Sequence, residues 1–224
     1  MLKKNRATPW KSGKVISICL RNGVYILAQM VREPYLVFFN HFNEENNWKG
    51  VTLKEEDILF CKAVTRQFLR YSPVAIIKEV NPLLDYELPK EWIYSHIGGH
   101  NITISVKGRE RQVVGFGQRC SLVLADKDSG QPEDNPLMGL FQAYIIPDIK
   151  EKDWDRVGQA ELMSIEVFPT LNERLYLCFL YGKNINPEQD ISLGKPLPDD
   201  YETYIDILTN SPEARRLYLG EHEE

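Results

Sequence analysis

Between residues 11 and 40, three apolar runs are separated by residues typical of turns, and this pattern predicts three short strands. The apolar runs cover residues 15–20, 24–31 and 35–40. Asn22-Gly23 separates the first two runs, and both of these residues tolerate the positive φ angles of a type I′ turn, so the sequence predicts a tight hairpin. Pro34 cannot donate to a sheet and marks the break before the third strand.

A two-residue turn would also set the pairing of this hairpin. It places Leu20 opposite Tyr25 and Ile18 opposite Leu27, and both faces of the pair are then largely apolar. Strands of this kind are typical of a sheet that is covered on both sides. The sequence therefore predicts a strongly bent, barrel-like antiparallel meander near the N-terminus.

Further along the chain, short strand patterns continue and then give way to helical ones. Strands are predicted at residues 58–64, 74–80, 102–106, 113–116 and 120–125, and a polar loop containing Trp48 at residues 41–54. Residues 199–208 have helical spacing, and Ser211-Pro212 starts another helix. Thr170 and Glu173 form a possible capping box with a glycine stop at Gly182, but residues 175–181 would equally suit a buried strand.

These patterns predict an α+β fold with three sections. Residues 1–125 form a strand-rich N-terminal half, residues 126–136 a polar, acidic loop with two prolines, and residues 137–224 a mixed, helix-containing portion. With 224 residues the chain is large enough for one sizeable domain or two small ones, and the sequence leaves that choice open.

Composition and cysteine usage narrow the class of protein. Hydrophobic residues make up 43% of the chain and charged residues 26%, which is ordinary for a globular protein. The four cysteines are far apart, each in an apolar run, so we expect buried, reduced thiols and neither a metal site nor a cofactor. Apolar runs are too short for a membrane span or a leader peptide, which predicts a cytoplasmic protein.

Charge is divided unevenly between the two halves. Residues 1–112 hold 17 Lys and Arg against 11 Asp and Glu, a net charge of +6, whereas residues 113–224 hold 10 against 21, a net charge of −11. An asymmetry of this kind is typical of proteins with a charged partner. The acidic half suits a basic protein, and the basic half suits an acidic surface or nucleic acid.

Few residue patterns in the chain suggest catalysis or cofactor binding. His96 and His100 flank Gly98-Gly99, which argues against a shared helical face, and the acid pairs at residues 55–57 and 153–155 are common on protein surfaces. Gly115 and Gly117 lack the third glycine of a dinucleotide fingerprint. We therefore predict no enzyme, although an enzyme with a dispersed site stays open as an alternative.

A basic run offers a second alternative. Lys107, Arg109, Arg111 and Arg119 surround a predicted hairpin, and such a run could bind nucleic acid. Only Phe116 is near enough in sequence to offer a base an aromatic surface, and the overall acidity of the chain argues against nucleic acid as the main partner.

The opening block resembles a known family. Residues 10–40 combine a lysine-x-glycine step at Gly13, a strand, the Asn22-Gly23 turn, a second strand bearing Tyr25 and a third apolar strand. This block resembles the start of the immunity protein 26 family of bacterial polymorphic-toxin systems. Lys14 stands where the family often has an acid, and Ile26-Leu27-Ala28 lacks a glycine often found after the tyrosine.

The resemblance implies a non-catalytic protein that binds and neutralises a cognate toxin domain inside the producing cell. Immunity proteins that block nucleases often present an acidic surface, so the expected partner is a basic, nuclease-like toxin. The sequence does not fix the oligomeric state. The predicted toxin-binding residues are all acidic: Asp126, Asp128, Glu133, Asp134, Asp199 and Asp200.

Overall fold

A computed structural model describes residues 8–72, 74–96, 101–116, 119–125 and 141–219 of the chain. Within these residues the strands are β1 (Val15–Cys19), β2 (Tyr25–Met30), β3 (Tyr35–Asn43), β4 (Ile58–Val64), β5 (Val74–Ile77), β6 (Glu91–His96), β7 (Asn101–Val106), β8 (Arg109–Val114), β9 (Arg119–Leu124), β10 (Ala143–Ile146), β11 (Glu161–Leu162) and β12 (Ile165–Glu166). The α-helices are α1 (Arg66–Tyr71), α2 (Trp154–Val157), α3 (Thr170–Tyr181), α4 (Pro187–Ser192), α5 (Glu202–Leu208) and α6 (Pro212–Leu219). The predicted α+β class is confirmed.

The chain divides into two compact units, each assembled from separate stretches of sequence. Unit 1 lies within residues 1–87, 164–186 and 199–224, and unit 2 within residues 88–163 and 187–198. The acidic loop predicted at residues 126–136 lies outside the described residues.

Unit 1 is built on a six-stranded sheet with the order β12-β4-β3-β2-β1-β5. The strands pair antiparallel except for β12, which pairs parallel to β4. The predicted meander of β1, β2 and β3 is confirmed, as is the following strand β4. The sheet is open, with β12 and β5 at its edges in the described part of the chain, and it is not a closed barrel.

The register predicted for the first hairpin is wrong by one residue. Cys19, not Leu20, lies opposite Tyr25, and Ile18 lies opposite Ile26. The turn occupies Arg21–Gly23, three residues rather than two, with Leu20 N–H donating to the Val24 carbonyl at 2.7 Å. Asn22 and Gly23 do have the positive φ angles that the sequence indicated, 57° and 73°. The extra loop residue changes which side chains of β2 share a face with those of β1.

One face of this sheet carries the main core of unit 1. Buried residues of β1 to β4 pack there with Phe68 of α1 and with the apolar stripe of α3, formed by Leu171, Leu175 and Cys178. The opposite face is covered too, since Ser17 is 1% exposed and Leu27 is fully buried. Coverage of both faces, which the sequence predicted, is confirmed.

Trp48 does not lie on the surface as its polar surroundings predicted. It is 1% exposed, and its indole Nε1 donates to Asn46 Oδ1 at 2.8 Å. Burial of a large aromatic ring is favourable when its N–H finds a hydrogen-bond acceptor, and Asn46 supplies that acceptor here.

The helix-or-strand choice at residues 175–181 is settled in favour of a helix. In α3 the stripe at Leu171, Leu175 and Cys178 follows the spacing of one helical face, and Gly182 ends the helix with a φ of 64°. Thr170 is the first helical residue, not the N-cap, and its hydroxyl donates to the Val167 carbonyl at 3.0 Å. The predicted capping box is therefore wrong, while the glycine stop is confirmed.

Charged residues tie α3 to the rest of unit 1. Glu173 is fully buried and accepts two hydrogen bonds from Arg21, at 2.9 and 3.0 Å, and one from the hydroxyl of Tyr218 at 2.5 Å. Burial and the neighbouring Glu173 carboxylate raise the pKa of Tyr218. On the next residue, Arg174 Nη1 lies 3.5 Å from Glu166 of β12.

Unit 2 contains a four-stranded sheet in the order β10-β9-β6-β11 and the separate hairpin β7–β8. One face of the four-stranded sheet packs into a core with α2 and residues near it: Ile93, Cys120, Leu122, Ile149, Val157 and Leu162. The other face carries alternate residues of the same strands, among them Tyr94, His96 and Ser121.

The cysteines are free thiols. Cys61, Cys120 and Cys178 are buried and Cys19 is partly exposed. Burial raises the pKa of the Cys120 thiol to about 11. None of the helices in the described ranges is long and apolar enough to cross a membrane.

Candidate functional site

Two of the predicted toxin-binding residues lie on the surface of unit 1. Asp199 and Asp200 start a short 3₁₀ helix, Asp199–Tyr201, that leads into α5. Tyr201 is 2% exposed and anchors this turn, while both aspartates are exposed. Residues 196–214 contain five acidic residues and neither lysine nor arginine, so the segment carries strong negative charge.

Apolar side chains lie beside these aspartates at the end of α3. Leu180 is 50% exposed and Tyr181 is 37% exposed. The Tyr181 hydroxyl donates to Asp200 Oδ2 at 3.0 Å, which holds the ring against the acidic turn. Partial burial and the Asp200 carboxylate raise the pKa of Tyr181. We refer to Leu180, Tyr181, Asp199 and Asp200 as the α3-end patch.

Sequence reasoning found the aspartates of this patch but missed its apolar part. Leu180 and Tyr181 fall outside the buried stripe of α3, so a helical interpretation of residues 170–181 would have placed them on the surface. The other four predicted residues, Asp126, Asp128, Glu133 and Asp134, lie outside the described residues.

The predicted basic hairpin is present in unit 2. Lys107 and Gly108, with φ angles of 50° and 70°, form a two-residue turn between β7 and β8. Val106 lies opposite Arg109 and Ile104 opposite Arg111, so both arginines share a face with apolar residues of β7. Arg119 is on β9, where it lies opposite His96 of β6. The hairpin therefore does not present its basic residues as one uninterrupted charged face.

His96 and Ser121 form a hydrogen-bonded pair that resembles the base and nucleophile of a hydrolase. His96 Nε2 lies 2.8 Å from Ser121 Oγ. The serine hydroxyl, however, donates its proton to the Pro147 carbonyl at 2.6 Å. A hydroxyl has one proton to give, so His96 Nε2–H must be the donor in the other bond. This histidine nitrogen cannot act as a base towards a fully buried serine that is already donating elsewhere.

Aromatic rings surround His96. Its ring lies parallel to that of Tyr144, with an interplanar angle of 12° and centroids 6.3 Å apart, and Tyr94 meets it edge-on at 4.8 Å. Phe141 is fully buried and contacts the Tyr144 ring at 4.9 Å in an edge-to-face geometry. Partial burial and the nearby Arg119 guanidinium lower the pKa of His96. Sequence reasoning did not find this cluster, because His96 and Tyr144 are 48 positions apart and on different strands.

One acid of each predicted group serves local structure. Asp57 accepts from His41 Nε2 at 3.0 Å and from the backbone N–H of Lys54 at 3.2 Å. Asp153 accepts from the backbone N–H of Lys150 at 3.0 Å. Both carboxylates thus stabilise the start of a short helical turn. In the part of the chain that the structure describes, no group of three His, Cys, Asp or Glu side chains could hold a metal ion.

Unit 2 also has an open cleft of about 380 Å³. One wall is residues 102–105 of β7 and the other is residues 191–197. Lys195, the cation in the lining, forms an ion pair with Asp190 at 3.0 Å. Since the rest of the lining is apolar or hydroxylic, the cleft presents no converging charge that would define a ligand.

Comparison with known proteins gives a match to one family model. Searches of the curated proteins and of the solved structures found no match to the chain. A family model described as a domain of unknown function, DUF8309, matches residues 4–118, just over half of the chain. The match spans β1 to β8, including the hairpin, the meander and the basic turn. The chain therefore belongs to the DUF8309 family.

Proposed function

We propose that this protein is an immunity protein, which binds a cognate bacterial toxin domain in the cytoplasm and neutralises it without catalysis. The proposal rests on the resemblance of residues 10–40 to the immunity protein 26 family and on a surface suited to a basic partner. The observation that carries it is the α3-end patch, where the exposed Tyr181 is hydrogen-bonded to an acidic turn and the preceding Leu180 is exposed as well.

Tyr181 is the residue of the α3-end patch that is typical of a binding hot spot. Tyrosine is enriched at such positions, and truncating a hot-spot side chain costs about 2 kcal/mol or more of binding free energy. The hydrogen bond to Asp200 restrains the Tyr181 ring before a partner arrives, which reduces the entropy lost on binding. Asp199, Asp200 and the acids that follow would attract a basic toxin and speed its association.

A binding role also agrees with the chemistry of the described residues. The His96–Ser121 pair is arranged so that the serine is not activated, and Asp57 and Asp153 are engaged in turns. These three features are the ones that most resemble catalytic machinery, and each has a structural use. The function we propose therefore depends on surface complementarity rather than on a reaction.

The test is co-expression with the toxin encoded beside this protein, followed by co-purification and a growth-rescue assay. The double variant Asp199→Lys/Asp200→Lys reverses the charge of the patch, and Leu180→Asp disrupts its apolar part. Glu44→Lys/Glu45→Lys is the matched control, because these two exposed acids of unit 1 lie in the loop after β3. All variants are first checked for an unchanged thermal unfolding midpoint.

We expect the wild type and the control to form a complex and rescue growth. Charge reversal in the patch should weaken the complex at least tenfold, mainly by slowing association, and the loss should shrink as salt is added. If the wild type neither binds nor protects, the function is wrong. If it does both and the patch variants behave like the control, the function stands and the patch is not the interface.

A further inference from the structure

We infer that β7 binds an extended, uncharged segment of another polypeptide as an added strand, in the cleft between β7 and residues 191–197 of unit 2. The cleft presents no converging charge, so its occupant is identified by the backbone groups along one wall rather than by charged side chains. This inference is independent of the proposed function, because it concerns a different surface from the α3-end patch and a different unit.

The wall formed by β7 is the edge of a strand and not one of its faces. Successive side chains of a strand point to opposite faces, yet the four consecutive residues 102–105 all line the cleft. Consecutive residues of a strand come together in this way along its edge. No strand lies beside that edge in the described part of the chain, where β7 pairs with β8 alone.

The register of the hairpin shows which backbone groups face the cleft. The turn Lys107-Gly108 has two residues, so Val106 and Arg109, which close it, form a hydrogen-bonded pair. Hydrogen-bonded and non-hydrogen-bonded pairs alternate along an antiparallel pair of strands. Thr103 and Ser105 therefore direct their N–H and C=O groups away from β8, towards the edge that lines the cleft.

These backbone groups match the backbone of an extended polypeptide. Equivalent groups on one edge of a strand recur at every second residue, about 6.8 Å apart, and an added strand presents its own donors and acceptors at the same interval. The partial charges are complementary, because each N–H of one strand meets a carbonyl oxygen of the other. A nucleic-acid or sugar backbone has no such alternation of amide donors and carbonyl acceptors. The edge is therefore suited to the addition of a peptide strand.

β7 also lacks the features that keep strand edges from pairing. Edge strands are usually protected by charged residues, proline, a bulge or a very short length. The six residues of β7 include neither a charged residue nor proline, and they pair with β8 without a shift in register. In contrast, β8 carries Arg109, Glu110 and Arg111. The hairpin thus has one strand protected by charge and one strand able to pair, and the second of these lines the cleft.

The size and lining of the cleft define the segment that would enter it. One residue of a packed strand fills roughly 160 Å³, so a cleft of about 380 Å³ holds about two or three residues of a single strand and not a second β7–β8 hairpin. Ile104 is buried while Thr103 and Ser105 are exposed, so alternate side chains of the added strand would lie beside an apolar group and beside hydroxyls. The ion pair between Lys195 and Asp190 balances the charge of the lining cation. The expected segment is uncharged and alternates apolar and hydroxyl-bearing residues.

The experiment uses the blocked peptide acetyl-Thr-Val-Thr-Val-Thr-Val-amide and the full, isotope-labelled chain, and it measures the exchange rate of individual backbone amides by NMR. At a peptide concentration about ten times its Kd, exchange at Thr103 and Ser105 should slow about tenfold. Ile104 should not change, because its N–H faces β8 and is already bonded there. Protection at alternate residues is a result that mere coverage of the surface would not produce.

A proline variant tests the backbone contact directly. Thr103→Pro removes the N–H at the cleft edge, and proline is tolerated in an edge strand where that group faces outwards. Gln112→Pro is the matched control, because Gln112 lies opposite Thr103 and its N–H faces the outer edge of β8. We expect Thr103→Pro to weaken peptide binding about tenfold or more, and Gln112→Pro to leave it within about twofold of wild type. Thermal unfolding checks that both variants are folded.

Modified peptides test the same contact without changing the protein. One peptide carries N-methyl groups on its three threonines and the other on its three valines, so each modification blocks one edge of the added strand. One set of methyl groups should abolish binding and the other should weaken it much less, because a single edge of the peptide pairs with β7.

Four results would overturn the inference. The first is no peptide binding at about 1 mM, and the second is slow exchange of Thr103 and Ser105 before peptide is added, which would mean that the edge is already paired within the chain. The third is peptide binding that neither a folded Thr103→Pro variant nor either set of methyl groups weakens. The fourth is a dimer in sedimentation that Thr103→Pro dissociates, which would assign the edge to a second copy of the chain. The growth-rescue assay does not involve this peptide, so its failure would leave the inference untouched.

Discussion

The ion pair between Arg21 and Glu173 joins the turn of the first hairpin to α3, across 152 positions of sequence, and its removal should have asymmetric effects. Arg21 donates from Nε and Nη2 to the two carboxylate oxygens at 2.9 and 3.0 Å. Its side chain is 22% exposed, whereas that of Glu173 is fully buried. The two partners therefore differ in how easily water can replace the lost contact.

That difference sets the expected magnitudes. Arg21→Met leaves a buried carboxylate whose other hydrogen-bond partner is the Tyr218 hydroxyl, and breaking a buried pair in this way costs about 3–5 kcal/mol. Glu173→Gln leaves an arginine that water can reach and that still lies 3.7 Å over the Tyr176 ring, so we expect a smaller loss of about 1–3 kcal/mol. The double variant should cost less than the sum of the two single changes, with a coupling of about 1–3 kcal/mol.

Urea unfolding of the four proteins in the cycle measures these values. Because the chain has two units, amide hydrogen exchange in α3 reports the stability of unit 1 separately. The matched control is the pair Lys54–Glu56 of the same unit, at 3.1 Å, whose side chains are 59% and 73% exposed. Its coupling should be much smaller than that of the buried pair, because water and salt screen the exposed charges.

An Arg21→Met variant that destabilises unit 1 no more than Glu173→Gln does would contradict this expectation. A coupling of the buried pair equal to that of the exposed control would contradict it as well. Either result would mean that burial of the Glu173 carboxylate does not determine the cost of losing its partner.

Three further predictions concern the thiols, pH and the family boundary. The thiol of Cys19 is partly exposed, whereas burial raises the pKa of the Cys120 thiol to about 11. At about pH 8 Cys19 should therefore react with a thiol reagent well before Cys120, and Cys19→Ser should remove the fast phase of labelling. The fold lowers the pKa of His96 below its ordinary value of 6.5. As the pH falls past 6.5, the unfolded chain therefore binds a proton at this histidine before the native chain does. Stability should therefore fall as the pH drops through 6.5 towards the lowered value, and His96→Gln, compared by thermal unfolding at several pH values, should show a weaker dependence. A chain ending at residue 118, where the family match ends, lacks α3 and its buried stripe. Loss of two buried leucines alone removes about 3–6 kcal/mol, which approaches the whole stability of a domain, so near-UV circular dichroism should show no fixed packing, and a cooperative thermal transition would contradict this.

Several elements could be predicted because their signals are local. Asn22-Gly23 and Lys107-Gly108 do adopt positive φ angles in hairpin turns, and the strands predicted at residues 35–40 and 58–64 lie where short apolar runs indicated them. A turn involves neighbouring residues and a strand shows its period over a few positions, so both are visible in a short window of sequence. A short stretch of sequence does not fix whether a loop has two or three residues. For this reason the pairing predicted for the first hairpin differs by one residue from the observed pairing.

The candidate surfaces could be predicted only in part. Asp199 and Asp200 were recognised by charge, but Tyr181 joins them through a fold contact, and Tyr144 joins His96 through the β6-β9-β10 order of the sheet. Nucleic-acid binding by the basic run at residues 107–119 would need exposed aromatic rings beside it, and Phe116 is the one aromatic residue near the run in sequence. Strand order and helix packing determine which distant residues become neighbours, and no periodic pattern in the sequence indicates either of them.

The sequence by itself determined the α+β class, the N-terminal meander and the acidic character of residues 196–214. Only the tertiary structure decided that residues 175–181 are helical, that β12 returns to pair with β4, and that Glu173 is buried against Arg21. The physical reason is the range of the interactions. Backbone preferences and turn chemistry act over a few residues, whereas burial, ion pairing and sheet order depend on which distant segments the chain can bring together at a favourable free energy.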